Sequence, residues 1–130
     1  MKILIVEDDF VSRKVLNKML SSLGESDIAI DGNEALKAFE NALNEKQPYD
    51  LVCLDIMLPE IDGHTVLKKI RELEERNGIG GLDGAKIIMT TAMGEKEHIL
   101  KAFQSGCEGY LVKPIDRHML LNKISELGLK

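Results

Sequence analysis

Short apolar runs alternate with helix-period segments from one end of the chain to the other, and this alternation restricts the fold more than any single motif. The runs are Ile3-Leu4-Ile5-Val6, Ile28-Ala29-Ile30, Leu51-Val52-Cys53-Leu54, Ile87-Ile88-Met89 and Tyr110-Leu111-Val112. Three of the five are apolar at consecutive positions, the pattern of strands covered on both faces. Ile28 and Ile30 stand between Asp27 and Asp31, which suits an edge strand. Between the runs, Val11, Val15 and Met19 form a first helical stripe, with Leu16, Leu20 and Leu23 beside it and a stop at Gly24. Ala35, Leu36, Phe39 and Leu43 form a second, opening after Asp31-Gly32-Asn33. Val66, Leu67, Ile70 and Leu73 form a third, ending in Arg76-Asn77-Gly78. Ile99, Leu100, Ala102 and Phe103 form a fourth, closed by Gly106. Met119, Leu120, Ile124 and Leu127 form a fifth, with Asp116 as its N-cap. Strand and helix alternating five times predict an α/β fold, a doubly wound parallel sheet of five strands with five helices on its two faces.

All 130 residues fit this pattern without linker, repeat or low-complexity tract, so one domain is expected over 1–130. The formal charge of −5 has the wrong sign for a phosphate-binding surface, so no direct nucleic-acid partner is expected. No apolar stretch approaches the ~18 residues of a membrane helix, and acids follow Ile3–Val6 too soon for a signal peptide. Cys53 and Cys107 are too few for a disulfide framework and adjoin apolar runs, which points to the reducing cytoplasm. Gly78-Ile79-Gly80-Gly81-Leu82-Asp83-Gly84 matches no phosphate-loop spacing and precedes a strand, so it reads as a flexible connection.

The chemistry gathers where strands end. The first runs straight into Glu7-Asp8-Asp9, the third ends in Leu54-Asp55, the fourth in Thr90-Thr91-Ala92 and the fifth in Lys113-Pro114. In open α/β sheets that edge is the ligand edge. With the first and third strands adjacent, Asp8, Asp9 and Asp55 converge, and clustered carboxylates need a neutralising partner. An all-oxygen set without histidine or cysteine suits Mg2+ before Zn2+. A helix cap explains one of Asp8 and Asp9, but not a second acid. Asp55, closing an apolar strand, is costly to desolvate alone. Lys113 supplies a compact cation on a long stem, and the proline after it fixes the backbone. Thr91 offers a hydroxyl donor, although a threonine finishing a strand also fits plain β-propensity. Together the set describes a phosphoryl-acceptor site: Asp55 as nucleophile, Asp9 and Asp55 on the metal with Asp8 nearby, Lys113 and Thr91 on the phosphoryl oxygens.

These residues match a known pattern. The chain resembles response-regulator receiver domains of two-component signalling, of the chemotaxis-regulator kind, through ILIVEDD at 3–9, LDIMLPEIDG at 54–63, TTA at 90–92 and GYLVKP at 109–114. The resemblance covers essentially the whole chain and implies a flavodoxin-like fold with strand order 2-1-3-4-5. It implies Asp55 as phosphoacceptor, Asp8 and Asp9 as the acidic pair holding Mg2+, and the backbone carbonyl of Met57 as a further ligand. Thr91 and Lys113 match the family's hydroxyl and lysine, and Tyr110 its aromatic switch position. The implied donor is a histidine kinase or phosphotransfer protein. The implied output is a face of the fourth helix, fifth strand and fifth helix that controls binding of a further protein. The chain would act as a monomer or as a phosphorylation-dependent dimer.

A group of charge near −2 on Asp55 would attract Thr91, and Tyr110 could fill the space vacated. A half-exposed strand aromatic is the plainer account of Tyr110. Met57 and Met93 flank the site; they either hinder water or fill gaps. His64, His98 and His118 are expected at surface or boundary positions of helices, Cys53 in the core, and Cys107 exposed in a loop. The chain is not expected to be an enzyme acting on an outside substrate. A Mg2+-dependent aspartyl phosphatase would carry an acid two residues after its nucleophile, where this chain has Met57. A scaffold that never phosphorylates would have lost a site position.

Overall fold

In a strand, successive side chains point to opposite faces, so a continuous apolar run is stable only between two layers of helix. The computed structural model describes residues 1–80, 83–92 and 96–129, the side chains of Lys96 and His98 excepted. Its elements are β1 (Lys2–Val6), α1 (Phe10–Leu20), β2 (Glu25–Ala29), α2 (Gly32–Asn44), β3 (Leu51–Asp55), α3 (Gly63–Arg76), β4 (Lys86–Thr91), α4 (Lys96–Gln104), β5 (Gly109–Val112) and α5 (Arg117–Glu126). The strands form one parallel sheet in the order β2-β1-β3-β4-β5, the order the family resemblance implies.

The apolar runs divide between the two faces as the alternation requires. Leu4, Val6, Val52, Leu54, Ile87 and Met89 pack with α2, α3 and Ala102 of α4. Ile3, Ile5, Leu51, Cys53, Ile88 and Leu111 pack with Leu16 and Leu20 of α1 and with Leu120 and Ile124 of α5. This second layer corrects several helix faces. The sequence favours the Val11/Val15 row of α1, but those residues are 65 % and 42 % exposed, and the neighbouring Leu16/Leu20 row is the buried one. Among the described side chains of α4 only Ala102 is buried, with Leu100 and Phe103 outward; on α5 Met119 is outward and Leu120 inward. In each case two adjacent rows are apolar, and helical periodicity alone does not choose between them. β2 also begins earlier than its apolar residues, because pairing from Lys2↔Glu25 to Val6↔Ala29 sets its length and leaves Ile30 past its end.

Helix starts follow the expected chemistry. Asp9, Asp31, Asp62 and Asp116 each accept backbone N–H bonds at the N-termini of α1, α2, α3 and α5. At the sheet's N-terminal edge, Arg71 of α3 donates to Gly106 O at 2.7 Å, Ala85 O at 2.9 Å, Glu74 at 2.7 Å and Glu108 at 2.8 Å. Glu74 in turn accepts from Ala85 N at 2.7 Å, and its carbonyl accepts from Ile79 N at 2.9 Å. The glycine-rich connection is therefore fastened at both ends, not a free tether; Gly81 and Leu82 lie outside the described residues. Cys107, expected in an exposed loop, is buried, and that burial pushes its thiol up to about 11. His64 is also buried, in the first turn of α3, whereas His118 is exposed and the His98 side chain lies outside the described residues.

Gly63 opens α3 directly against the end of β3. A Cβ there would lie 2.3 Å from the Asp55 carbonyl oxygen, whereas a Cβ at Gly80 would meet nothing within 4 Å. Gly63→Ala is expected to lower stability by about 3 kcal/mol in urea unfolding, because backbone and not a flexible side chain must yield. Gly80→Ala is expected to stay within about 0.5 kcal/mol of the parent.

Candidate functional site

β1 and β3 pair with Val6 opposite Leu54, so one further residue on each brings Glu7 beside Asp55 at the C-terminal edge. Both continue the row that carries Ile3, Ile5, Leu51 and Cys53 towards α1 and α5. β4 ends alongside: Thr90 is the register partner of Asp55, its carbonyl accepting from Ile56 N at 3.0 Å, and Thr91 pairs with Val112. Lys113 follows Val112, donates its backbone N–H to Thr91 O at 2.7 Å and precedes a cis bond to Pro114. Three strand ends thus deliver Glu7, Asp55 and Lys113 to one place.

The carboxylates meet there. Glu7, Asp8 and Asp55 each offer an oxygen, these oxygens lying within 4.8 Å of one another. Lys113 Nζ donates to Glu7 Oε1 at 2.5 Å and to Asp55 Oδ2 at 3.2 Å. Asp55 Oδ1 accepts the Met57 N–H at 3.0 Å, and Glu7 Oε2 accepts the Asp9 N–H at 3.2 Å. Asp55 is only 3 % exposed, recessed instead of projecting, and its carboxylate bonds the Met57 N–H and the Lys113 ammonium. Met57, two residues on, is outward, 59 % exposed. Met93, the other expected flank, lies outside the described residues. Thr91 is buried at the end of β4, and Tyr110 on β5 is half-buried against the α2/α3 core.

One expected ligand is displaced. Asp9, paired with Asp8 in the sequence reading, caps α1: its carboxylate accepts from Ser12 N at 2.9 Å, which holds its pKa below the usual carboxylate value. Glu7, which that reading passed over, is fully buried inside the cluster. The signal was present: Glu7 lies two residues after Ile5 and so keeps its strand parity, while Asp9 stands where a helix needs its cap.

Burial raises the pKa of Glu7, outweighing the Lys113 hydrogen bond that lowers it, and the Asp55 charge adds to the rise. Burial acts to lower the pKa of Lys113, but the Glu7 hydrogen bond and the Asp55 charge more than offset this and hold it cationic. An all-oxygen, acidic, half-recessed cluster of this kind fits a hard divalent cation such as Mg2+, and Glu7, Asp8 and Asp55 are the residues that could hold it.

Comparison with known proteins gives matches along nearly the whole chain. The family model described as the response regulator receiver domain matches residues 3–125. The chemotaxis protein CheY of Treponema pallidum is 31% identical over 128 residues, covering 97% of this chain and 81% of that protein. The hybrid signal transduction histidine kinase L of Dictyostelium discoideum is 36% identical over 128 residues, and there this chain spans 98% of itself but 7% of the kinase. Among solved structures, CheY in the CheX–CheY–BeF3–Mg2+ complex of Borrelia burgdorferi aligns with TM-score 0.84 and 29% identity over 100% of this chain and 90% of that one. The receiver domain of the histidine kinase CKI1 of Arabidopsis thaliana, complexed with Mg2+ and BeF3−, aligns with TM-score 0.82 and 27% identity over 99% and 90%.

Lys113→Met strands two buried carboxylates and is expected to cost about 2 kcal/mol, less than a fully buried pair because the Lys113 side chain is 22 % exposed. With its pKa already above 4.5, Glu7 favours the fold when protonated, and that stability is lost as pH rises through its folded pKa. Removing the ammonium raises that pKa further. Denaturant melts across the pH range should therefore show the variant's deficit small at about pH 4, the free carboxyl range, and growing as the pH rises above it.

Proposed function

We propose that this chain, which belongs to the response regulator receiver domain family, accepts a phosphoryl group on Asp55 from the phosphohistidine of a histidine kinase or phosphotransfer protein. The observation that carries the reading is the convergence of Glu7, Asp8, Asp55 and Lys113 at the C-terminal sheet edge. Asp8, Asp55 and the Met57 backbone carbonyl would hold Mg2+ directly, with Glu7 at its flank. Bound there, the ion supplies positive charge shared between the carboxylates and an incoming phosphoryl oxygen. An Asp55 oxygen attacks phosphorus, the P–N bond breaks, and the donor imidazole keeps the electron pair. Lys113, already 3.2 Å from Asp55, moves its ammonium from carboxylate to phosphoryl oxygen, and the Thr91 hydroxyl takes another. The chain catalyses its own phosphorylation and dephosphorylation, not turnover of an outside substrate.

The donor has a surface to meet. Phe10, Val11 and Val15 of α1 are exposed beside the site, and Val11, Val15, Pro114 and Ile115 line one groove with Lys113. Such an apolar row next to the nucleophile suits a helical partner presenting its histidine. The output reading places Thr91 and Tyr110 as the two-position element, with Leu100, Phe103, Val112 and Met119 as the outward residues of the α4–β5–α5 face. Occupation of that face by a further protein, or by a second copy, would then follow phosphorylation. Residues 1–130 would act as one receiver unit in the cytoplasm; no helix among the described residues is long and apolar enough to cross a membrane.

Incubation with acetyl phosphate or phosphoramidate and Mg2+, followed by intact-mass measurement, tests the reading. One acid-stable, base-labile phosphoryl adduct is expected, absent from Asp55→Asn and absent when Mg2+ is chelated. No adduct on the parent overturns the proposal. Met57 stands open beside Asp55, and its apolar side chain would keep water from the adduct. Met57→Asn is accordingly expected to shorten the adduct's lifetime severalfold in phosphate-release assays, and an unchanged lifetime removes that role.

A further inference from the structure

The segment Glu7-Asp8-Asp9 is held by more bonds than a strand-to-helix turn requires. Glu7 Oε2 accepts from Asp9 N, and Asp9 Oδ2 accepts from Ser12 N. A third fastening comes from Arg13, in the first turn and a half of α1. Its Nη1 reaches back along the helix to the Asp8 carbonyl at 2.9 Å and the Glu7 carbonyl at 3.4 Å. The guanidinium also lies 5.5 Å from the centroid of the Phe10 ring, which limits where it can swing. Both Arg13 hydrogen bonds go to main-chain carbonyls and not to a carboxylate oxygen of the cluster.

We propose that Arg13 is a positioning residue for the divalent-ion site, fixing the Glu7 and Asp8 peptide planes so that both side chains enter the cluster. The proposal rests on the reading that Glu7, Asp8 and Asp55 hold Mg2+. A carboxylate on a turn has freedom about its own backbone dihedrals as well as its rotamers, and each must be frozen when an ion binds. Bifurcated donation from one guanidinium nitrogen to the carbonyls of two successive residues restricts that backbone freedom before the ion arrives. The cation's charge works the other way, because a positive group near the cluster repels a second cation. Its effect is weakened by position: the guanidinium bonds main-chain oxygens on the outer side of the turn and leaves the acidic oxygens to Lys113 and the ion. Geometry and charge thus predict opposite signs for the same substitution, and measurement separates them.

Mg2+ is titrated into the full chain at moderate ionic strength, following backbone amide shifts of residues 7–10 and 55–57 by NMR. Arg13→Met is expected to weaken Mg2+ roughly tenfold, the low end of what partners behind metal ligands contribute. Its metal-free Asp9 and Phe10 amides should shift while the melting temperature stays near the parent's. At saturating Mg2+ the acetyl phosphate reaction should run at the parent's rate, since the loss lies in ion binding and not in transfer. Arg13→Lys keeps a stem and a charge but loses the planar guanidinium beside the Phe10 ring, and is expected to fall between the two; it serves if the Met variant folds poorly. Equal or tighter Mg2+ binding by the variants overturns the proposal. Absence of Mg2+ binding by the parent would instead overturn the ion site itself, so the two failures are distinct.

Discussion

The C-terminal edge of the sheet depends on one cation held among acids. Lys113 bridges the carboxylates of Glu7 and Asp55, which are buried and which would otherwise repel each other across a short distance. Without it, the burial that already raises the Glu7 pKa would go unopposed, and Glu7 would be driven towards its protonated form. Lys113 neutralises only part of the cluster: three carboxylates face one ammonium. The remaining negative charge is the electrostatic reason an all-oxygen site invites a divalent ion. The same lysine that makes the apo fold tolerable is thereby already in place beside the atom that would receive a phosphoryl group.

The two edges of the sheet are built differently. At the N-terminal edge, Arg71, Glu74 and Glu108 satisfy the backbone groups of Ala85, Ile87 and Gly106 with short bonds, fixing where β4 and β5 begin. At the C-terminal edge Lys113 bonds the carboxylates of Glu7 and Asp55, whose other oxygens accept from Asp9 N and Met57 N, and the strands are tied by the Ile56–Thr90 and Lys113–Thr91 main-chain hydrogen bonds. Charge changes at the acidic edge therefore act on side chains whose supporting strands are anchored at their other end.

Most of the fold was legible because consecutive apolar residues admit only a two-faced sheet, and because Gly and Asp mark the helix ends at Asp31, Asn77-Gly78 and Asp116. Asp55 and Lys113 were legible for a related reason, each being a charge that ends an apolar strand. Glu7 was not, since three adjacent acids look equivalent until strand parity and helix capping are applied together. Parity sends Glu7 inward and capping takes Asp9. The outward rows on α1, α4 and α5 were illegible for a different cause: each helix carries two neighbouring apolar rows, and which one meets the sheet is decided by tertiary packing. His64 and Cys107 were misjudged likewise, because coverage by distant segments decides their burial and leaves no local trace.

That surplus of apolar rows is itself informative. α2 and α3 bury their stripes at Phe39, Leu43, Val66, Leu67, Ile70 and Leu73, as a core requires. On α1, α4 and α5, sharing the same sheet, side chains of equal hydrophobicity at helical spacing face water: Val11 and Val15, Leu100 and Phe103, Met119. Single exposed apolar residues need no explanation, but rows flanking a carboxylate cluster do. The proposed function asks for two contacts that α2 and α3 are not asked to make: one with a donor at the nucleophile, one with a reader beyond Thr91 and Tyr110. On that account the mismatch between pattern and burial divides the helices into those that close the core and those left to meet other proteins.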